Sequence, residues 1–299
     1  MRLWKWSLCL VCLAFIAGVV PSTIAAGPPV KFTFEVGVEY SNPDEQHLAM
    51  NIALPQGTTE LRPAILCIHG GGFRAGKRDS YDGLCQQLAE RGYVAATTSY
   101  RLAPQYQFPA AVHDVKAAVR FLRANAGKYQ IDPERIGVVG GSAGGHLAQF
   151  LGVTGGVTQF EGDGGNPGVS SRVSCVVNFY GPSDLTKSYG KSVDAAEVLP
   201  LWFGGDLTTK QQQHQIGSPL NWVTPEAAPT LLIHGTEDKY VAFEQAEWMQ
   251  ARYQQVGAEV EMLKLDGAGH GFQGADADKA NAAMLEFFDQ HYRRTTSKE

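Results

Sequence analysis

The hydrophobic pattern changes period after residue 62, and that change confines the chain to a narrow set of folds. Upstream, KFTFEVGVEY (31–40) and HLAMNIAL (47–54) alternate apolar and polar residues, as neighbouring strands with one covered face do. Downstream, PAILCIH (63–69) is continuously apolar, which suits a strand covered on both faces. From there, short apolar runs alternate with segments of helical spacing. The runs YVAATTSY (93–100), RIGVV (135–139), RVSCVVNFY (172–180), PTLLIHG (229–235) and EVEMLKL (259–265) are expected strands. Helices are expected over 82–92, over 109–129 with Pro109 near its start, over 143–152, over 242–256, and from Asp276 to Tyr292. Two strands followed by repeated β-α units predict an α/β domain: a mostly parallel central sheet with helices on both faces. In such sheets the chemistry gathers beyond the carboxyl ends of the strands.

Two stretches fall outside this rhythm. Residues 182–228 are rich in Gly, Pro, Gln and Trp and are expected to form a small lid over those strand ends. The first 26 residues carry Arg2 and Lys5, then an apolar stretch over 8–20, then the small-residue site in PSTIAAGPP. This is the layout of a secretory signal peptide, with cleavage expected after Ala25 or Ala26; the apolar stretch is shorter than the roughly 20 residues of a membrane span. An uncleaved anchor is the alternative. Residues 27–299 then read as one domain of a secreted or periplasmic protein.

Loss of Arg2 and Lys5 would take the formal charge from −5 to −7. An acidic product without a basic run is poorly suited to nucleic acid or to stable association with an anionic membrane. Of the five cysteines, Cys67, Cys85 and Cys175 remain; they allow at most one disulfide and read as small buried hydrophobes. Within residues 27–299 neither a CxxC pair nor an HExxH segment occurs, so no metal or other cofactor is expected.

Chemistry-bearing residues stand where the strands end. Gly140-Gly141-Ser142-Ala143-Gly144 fits G-x-S-x-G between a strand and a helix, a strained turn that presents a serine hydroxyl as nucleophile. A serine needs a base, and the base needs an orienting acid. Among eight histidines, only His270, in LDGAGHGF, lies in a glycine-flanked loop past a late strand. His146 and His234 read as buried packing residues, and His47, His113, His214 and His291 as surface or helix residues. The expected acid is Asp238, in HGTEDKYV, with Glu237, Asp184 and Asp266 as alternatives; Asp184 reads as a turn residue of its own loop. His69-Gly70-Gly71-Gly72 follows strand 63–69, and the amides of Gly71, Gly72 and Ala143 are expected to receive an oxyanion, with His69 bracing the loop. Phe73, Trp202 and Phe203 are candidate pocket walls, with ordinary core or lid packing as the alternative. GGFRAGKR (71–78) also resembles a phosphate loop, but Arg78 stands where Ser or Thr would hold Mg²⁺. A non-catalytic binding protein on this scaffold would be expected to lack one of the three side chains, and none is missing.

The order Ser, Asp, His is that of α/β-hydrolases. HGGGF together with SYRLAP (99–104), FPAAVHDV (108–115), GGSAGGHLA, EGDGGNPG (161–168) and YGPSDL (180–185) resembles bacterial α/β-hydrolase esterases. The likeness extends over residues 45–290, best to the bifunctional feruloyl/acetyl-xylan esterase-like (BD-FAE) branch, which is related to the hormone-sensitive-lipase-like enzymes. The latter carry a helical cap ahead of the sheet, where residues 27–62 here read as β. The resemblance implies an α/β-hydrolase fold and ester hydrolysis through an acyl-enzyme on a small-molecule or polysaccharide ester, acetyl or feruloyl. A short-chain carboxylesterase is the alternative, and a prolyl-oligopeptidase-like serine peptidase a further one. Oligomeric state is not legible in these residues.

Overall fold

The change of period at residue 62 becomes a change of strand direction. The computed structural model describes residues 29–57, 59–193 and 195–293, so the expected signal peptide lies outside the described residues. In chain order the elements are β1 (Phe32–Ser41), β2 (Leu48–Pro55), β3 (Arg62–Ile68), α1 (Asp82–Glu90), β4 (Val94–Thr98), α2 (Ala110–Ala124), α3 (Ala126–Tyr129) and β5 (Ile131–Gly141). There follow α4 (Ala143–Val153), β6 (Val176–Phe179), α5 (Ala195–Phe203), α6 (Gln211–Ile216), β7 (Thr230–Gly235), α7 (Glu244–Val256), β8 (Val260–Leu265) and α8 (Gly274–Arg293). The strands form one sheet in the order β1-β2-β4-β3-β5-β6-β7-β8. The alternating strands β1 and β2 are the antiparallel ones, β2 meeting both β1 and β4; every pairing from β4 onward is parallel.

The continuous apolar runs are explained by what covers each face. Leu66 and Val138 point into a core shared with Val115, Val119 and Leu122 of α2 and Leu147 and Phe150 of α4. Their neighbours Ile65, Cys67 and Val139 point the other way, against Leu88 of α1 and Met284, Phe287 and Phe288 of α8. Each such Leu, Ile, Val or Phe contributes about 1.5–3 kcal/mol by leaving water. Cys67, Cys85 and Cys175 are buried, with free thiols.

Three boundaries differ from the sequence-based expectation. The helix expected over 109–129 breaks at Asn125, whose side-chain amide donates to the Phe121 carbonyl at 2.9 Å and competes with the helical ladder there. The strand expected over 135–139 runs from Ile131 to Gly141. The run 172–180 yields only Val176–Phe179, because the Ser174 amide and hydroxyl both turn back on the Ile136 carbonyl, at 2.8 and 3.1 Å. The glycine-rich segment 161–168 wraps α2. There the buried Lys116 ammonium donates to the Thr154 carbonyl at 2.8 Å and to Glu161 at 2.9 Å, and Arg120 donates to the Gly164 and Gly165 carbonyls. This network holds α2 beside α4, the helix that opens at Ser142.

Candidate active site

Ser142 sits between β5 and α4 with φ 56° and ψ −122°, a conformation that side-chain-bearing residues rarely hold. Its amide donates to the Phe179 carbonyl at 2.9 Å, and its own carbonyl accepts from the His146 amide at 3.0 Å, so the turn is pinned from both sides. A Cβ at Gly144 would collide with the Ile68 and His69 carbonyls. That closeness seats the first turn of α4 against the end of β3, where the HGGG loop begins.

His270 lies beyond β8 and Asp238 beyond β7, and their loops are laced together. The Glu237 amide donates to the Ala268 carbonyl at 2.9 Å, and the Gly267 amide to Thr236 Oγ1 at 2.9 Å. The lacing brings His270 Nε2 to 3.0 Å from Ser142 Oγ and His270 Nδ1 to 2.8 Å from Asp238 Oδ2. Asp238 Oδ1 accepts from the Tyr240 and Val241 amides, both at 2.9 Å. Burial alone would raise the Asp238 carboxyl. Hydrogen bonds from His234 and His270, the charge of His270 and the Val241 amide outweigh it and bring the group down to about 2. The acid is therefore ionised wherever the imidazole works. Among the alternatives, Glu237 is exposed, Asp184 closes its own turn by accepting from Thr186 and Lys187 amides, and Asp266 stands beside Lys264 at the surface.

The loop after β3 supplies the facing wall. Gly71 has φ 115° and Gly72 φ 59°. The Arg74 and Ala75 amides close the turn on the Gly71 carbonyl, at 3.2 and 3.0 Å, so the turn uses that residue's carbonyl and not its N–H. The first N–H of α4, on Ala143, has no partner within the helix. Gly72 and Ala143 line one cavity with Ser142, and Gly71 and Gly72 line a second with Ser142 and His270. His69 braces the loop: its ring stacks on Tyr100 with centroids 4.3 Å apart, and Nδ1 lies 2.7 Å from the Gly70 carbonyl. Arg78, which breaks the phosphate-loop likeness, donates from Nε to Asn51 Oδ1 at 2.9 Å and so ties the loop to β2.

The two cavities are unequal. One, of about 20 Å³, is lined by Phe73, Ala143, Leu185, Ala195, Val198 and Leu199. The other is an open cleft of about 640 Å³, walled by Arg74, Tyr81, Tyr180 and Tyr240 and reaching His270. Phe73 is thus a wall residue, but Trp202 and Phe203 are not. Trp202 is 0% exposed and stacks behind Phe73 at 3.8 Å, and Phe203 packs beside it against Phe108 and His214. Both side chains belong to the core under the site, because the apolar stripe of α5 continues inward past the cavity.

His146 is fully buried, with Nδ1 3.0 Å from the Pro182 carbonyl, and burial lowers it to about 4. It is a packing group. His234 is also buried but is not merely packed: its Nε2 lies 3.3 Å from Asp238 Oδ2. Sequence reasoning missed this contact. The only signal was the four-residue spacing of His234 and Asp238, which means nothing until the chain turns out of β7.

A mostly parallel sheet whose strand ends assemble serine, aspartate and histidine, in that chain order, defines an α/β-hydrolase. Residues 50–253 match the BD-FAE family, and the chain belongs to it. It is 32% identical over 245 residues to the esterase LipC of Mycobacterium tuberculosis, a match covering 79% of this chain and 60% of that one. The chain therefore spans well under two thirds of that relative. Among solved structures it is similar to a truncated carbohydrate esterase from gut microbiota, with a TM-score of 0.77, 29% identity, and coverage of 89% of this chain and 98% of that one. It is also similar to the propionate-bound thermophilic esterase of the Planctomycetes species Thermogutta terrifontis, with a TM-score of 0.72, 26% identity, and coverage of 91% and 97%.

Proposed function

We propose that the protein is a serine carboxylic-ester hydrolase acting through an acyl-enzyme, with acetyl esters of plant polysaccharide as its substrates. The observation that carries this reading is the Ser142–His270–Asp238 line set between a small cavity and a larger open cleft. Ser142 Oγ attacks the ester carbonyl while His270 Nε2 takes its proton, and Asp238 holds the hydrogen on His270 Nδ1. The amides of Gly71, Gly72 and Ala143 receive the oxyanion; each such donor is worth about 3–4 kcal/mol in the transition state. His270 then passes the proton to the departing alcohol and activates water to release the acid.

The cavity sizes support assigning the two ends of the ester. A space of about 20 Å³ is on the scale of one water-sized group, which suits an acetyl methyl and excludes the aryl chain of a feruloyl group. The open cleft suits a bulky alcohol such as a sugar chain. The likeness to a carbohydrate esterase points the same way. A general short-chain carboxylesterase is the second reading, favoured by the same small cavity. The layout of residues 1–26 supports export as the route to such a substrate.

Rates on acetylated xylan, methyl ferulate and p-nitrophenyl esters of increasing chain length test the reading. Turnover is expected on acetylated xylan and p-nitrophenyl acetate, with steep loss beyond the short acyl chains and little on methyl ferulate. Acetate-ester turnover without release of acetate from xylan selects the second reading, and preference for ferulate overturns the acyl assignment. A folded Ser142→Ala variant that cleaves p-nitrophenyl acetate at the wild-type rate sinks the mechanism.

A further inference from the structure

The mechanism leaves one buried polar side chain beside the catalytic acid unused. His234, on β7, has its ring in the core, with Nε2 2.8 Å from the Val241 carbonyl and 3.3 Å from Asp238 Oδ2. That carboxylate oxygen is the one that receives His270 Nδ1–H. Nδ1 of His234 is buried with no hydrogen-bond partner among the described residues. A carbonyl oxygen only accepts, so the 2.8 Å contact requires the hydrogen to sit on Nε2. The same N–H stands beside Asp238, with Oδ2 3.3 Å from Nε2.

Val241 closes the arrangement. Its amide donates to Asp238 Oδ1 at 2.9 Å while its carbonyl accepts from His234, so the turn 238–241 is clasped between the strand and both carboxylate oxygens. The charged groups around the ring are Asp238 from the loop that follows β7, His270 behind it, Glu244 at the start of α7, and Lys264, its register partner on β8.

We propose that His234 is a positioning residue for the proposed ester hydrolysis: its Nε2–H fixes the Asp238 carboxylate with Oδ2 aimed at His270. This rests on the functional reading above. Two consequences separate it from packing alone. Without the Nε2–H the carboxylate can turn away from His270, which slows the chemical step. While it still faces His270, a carboxylate relieved of that donor is a stronger acceptor for the His270 N–H, which holds the protonated imidazole more tightly and moves the acid limb of the kcat/KM–pH profile to higher pH.

The test has two arms. In ¹⁵N-histidine-labelled wild-type protein, NMR should find the His234 hydrogen on Nε2; a hydrogen on Nδ1 instead overturns the proposal, whatever the protein hydrolyses. On p-nitrophenyl acetate, His234→Leu should lower kcat about ten-fold, the scale of one hydrogen bond to a charged group, with KM held and the acid limb raised. His234→Gln, whose side-chain amide can stand in for the Nε2–H, should keep kcat within about three-fold and leave the limb in place. Wild-type behaviour of His234→Leu, or equal impairment of the two variants, overturns the proposal. If His234→Leu fails to fold, His234→Gln and the NMR arm decide. Wild-type protein inert toward esters would defeat the functional reading alone, and the NMR arm would still test the donor.

Discussion

Asp238 shows how one residue links the chemistry to stability. Its carboxyl lies at about 2 in the folded protein, below the ordinary value near 3.9. A carboxyl depressed by folding adds stability that is complete above the unfolded value and disappears as pH falls through the folded one. Urea midpoints measured from pH 5 downward should therefore fall more steeply for wild type than for Asp238→Asn, with the excess slope confined between about pH 4 and pH 2. Parallel curves would show that the hydrogen bonds to Asp238 do not favour its charged form. The neighbouring residues were unequally legible in the sequence. Ser142 could be read because a strained turn demands glycine close by in the chain, so cause and signal share one window. His234 could not, since its contact depends on where the loop after β7 folds back. Trp202 and Phe203 stayed open between wall and core in the sequence, because aromatic residues near a site are equally suited to its wall and to the core beneath it, and the structure places them in the core.

At the scale of elements, α5 was the least legible. The stretch 182–228 announced itself only by breaking the β-α rhythm, and composition did not reveal which way its helices face. Within α5, Ala195, Val198, Leu199 and Trp202 share one stripe; the first three wall the small cavity and the fourth runs on into the core behind Phe73. On the proposed reading, this single helix sets the length of the acyl space. Leu199→Ala should lengthen it. The ratio of butyrate to acetate turnover on p-nitrophenyl esters should rise about ten-fold or more, within the range a few methylenes provide. The same truncation should cost about 2–5 kcal/mol in urea unfolding, as removal of a buried leucine side chain does. A variant destabilised by that amount but with unchanged acyl preference would place the acyl group elsewhere. The parallel strands, by contrast, were legible because burial on both faces writes itself as a continuous apolar run.

Across the whole molecule, the proposed catalytic groups and the Tyr93–Arg91–Asp289 cluster occupy opposite ends of the sheet. Ser142, Asp238, His270 and the HGGG loop all follow the carboxyl ends of strands. At the other end Tyr93 leads into β4, and its hydroxyl donates to Asp289 of α8 at 2.5 Å. Arg91 donates to the other oxygen of Asp289 from Nε at 3.0 Å and from Nη2 as well. These bonds join segments nearly two hundred residues apart and hold α8 beside α1 over one face of the sheet. Asp289→Ala deprives the buried Tyr93 hydroxyl of this acceptor, which costs about 1–3 kcal/mol. It also removes one partner of Arg91, whose side chain is 21% exposed and reaches water, so the charge contributes only about 1 kcal/mol more. Urea unfolding should report a loss of about 2–4 kcal/mol, the sum of those two contributions. Turnover of p-nitrophenyl acetate at 25 °C should remain at the wild-type level, because the lost bonds lie at the far ends of the strands. A fall in kcat without the loss of stability would mean instead that α8 transmits strain along its length to the His270 loop at its start.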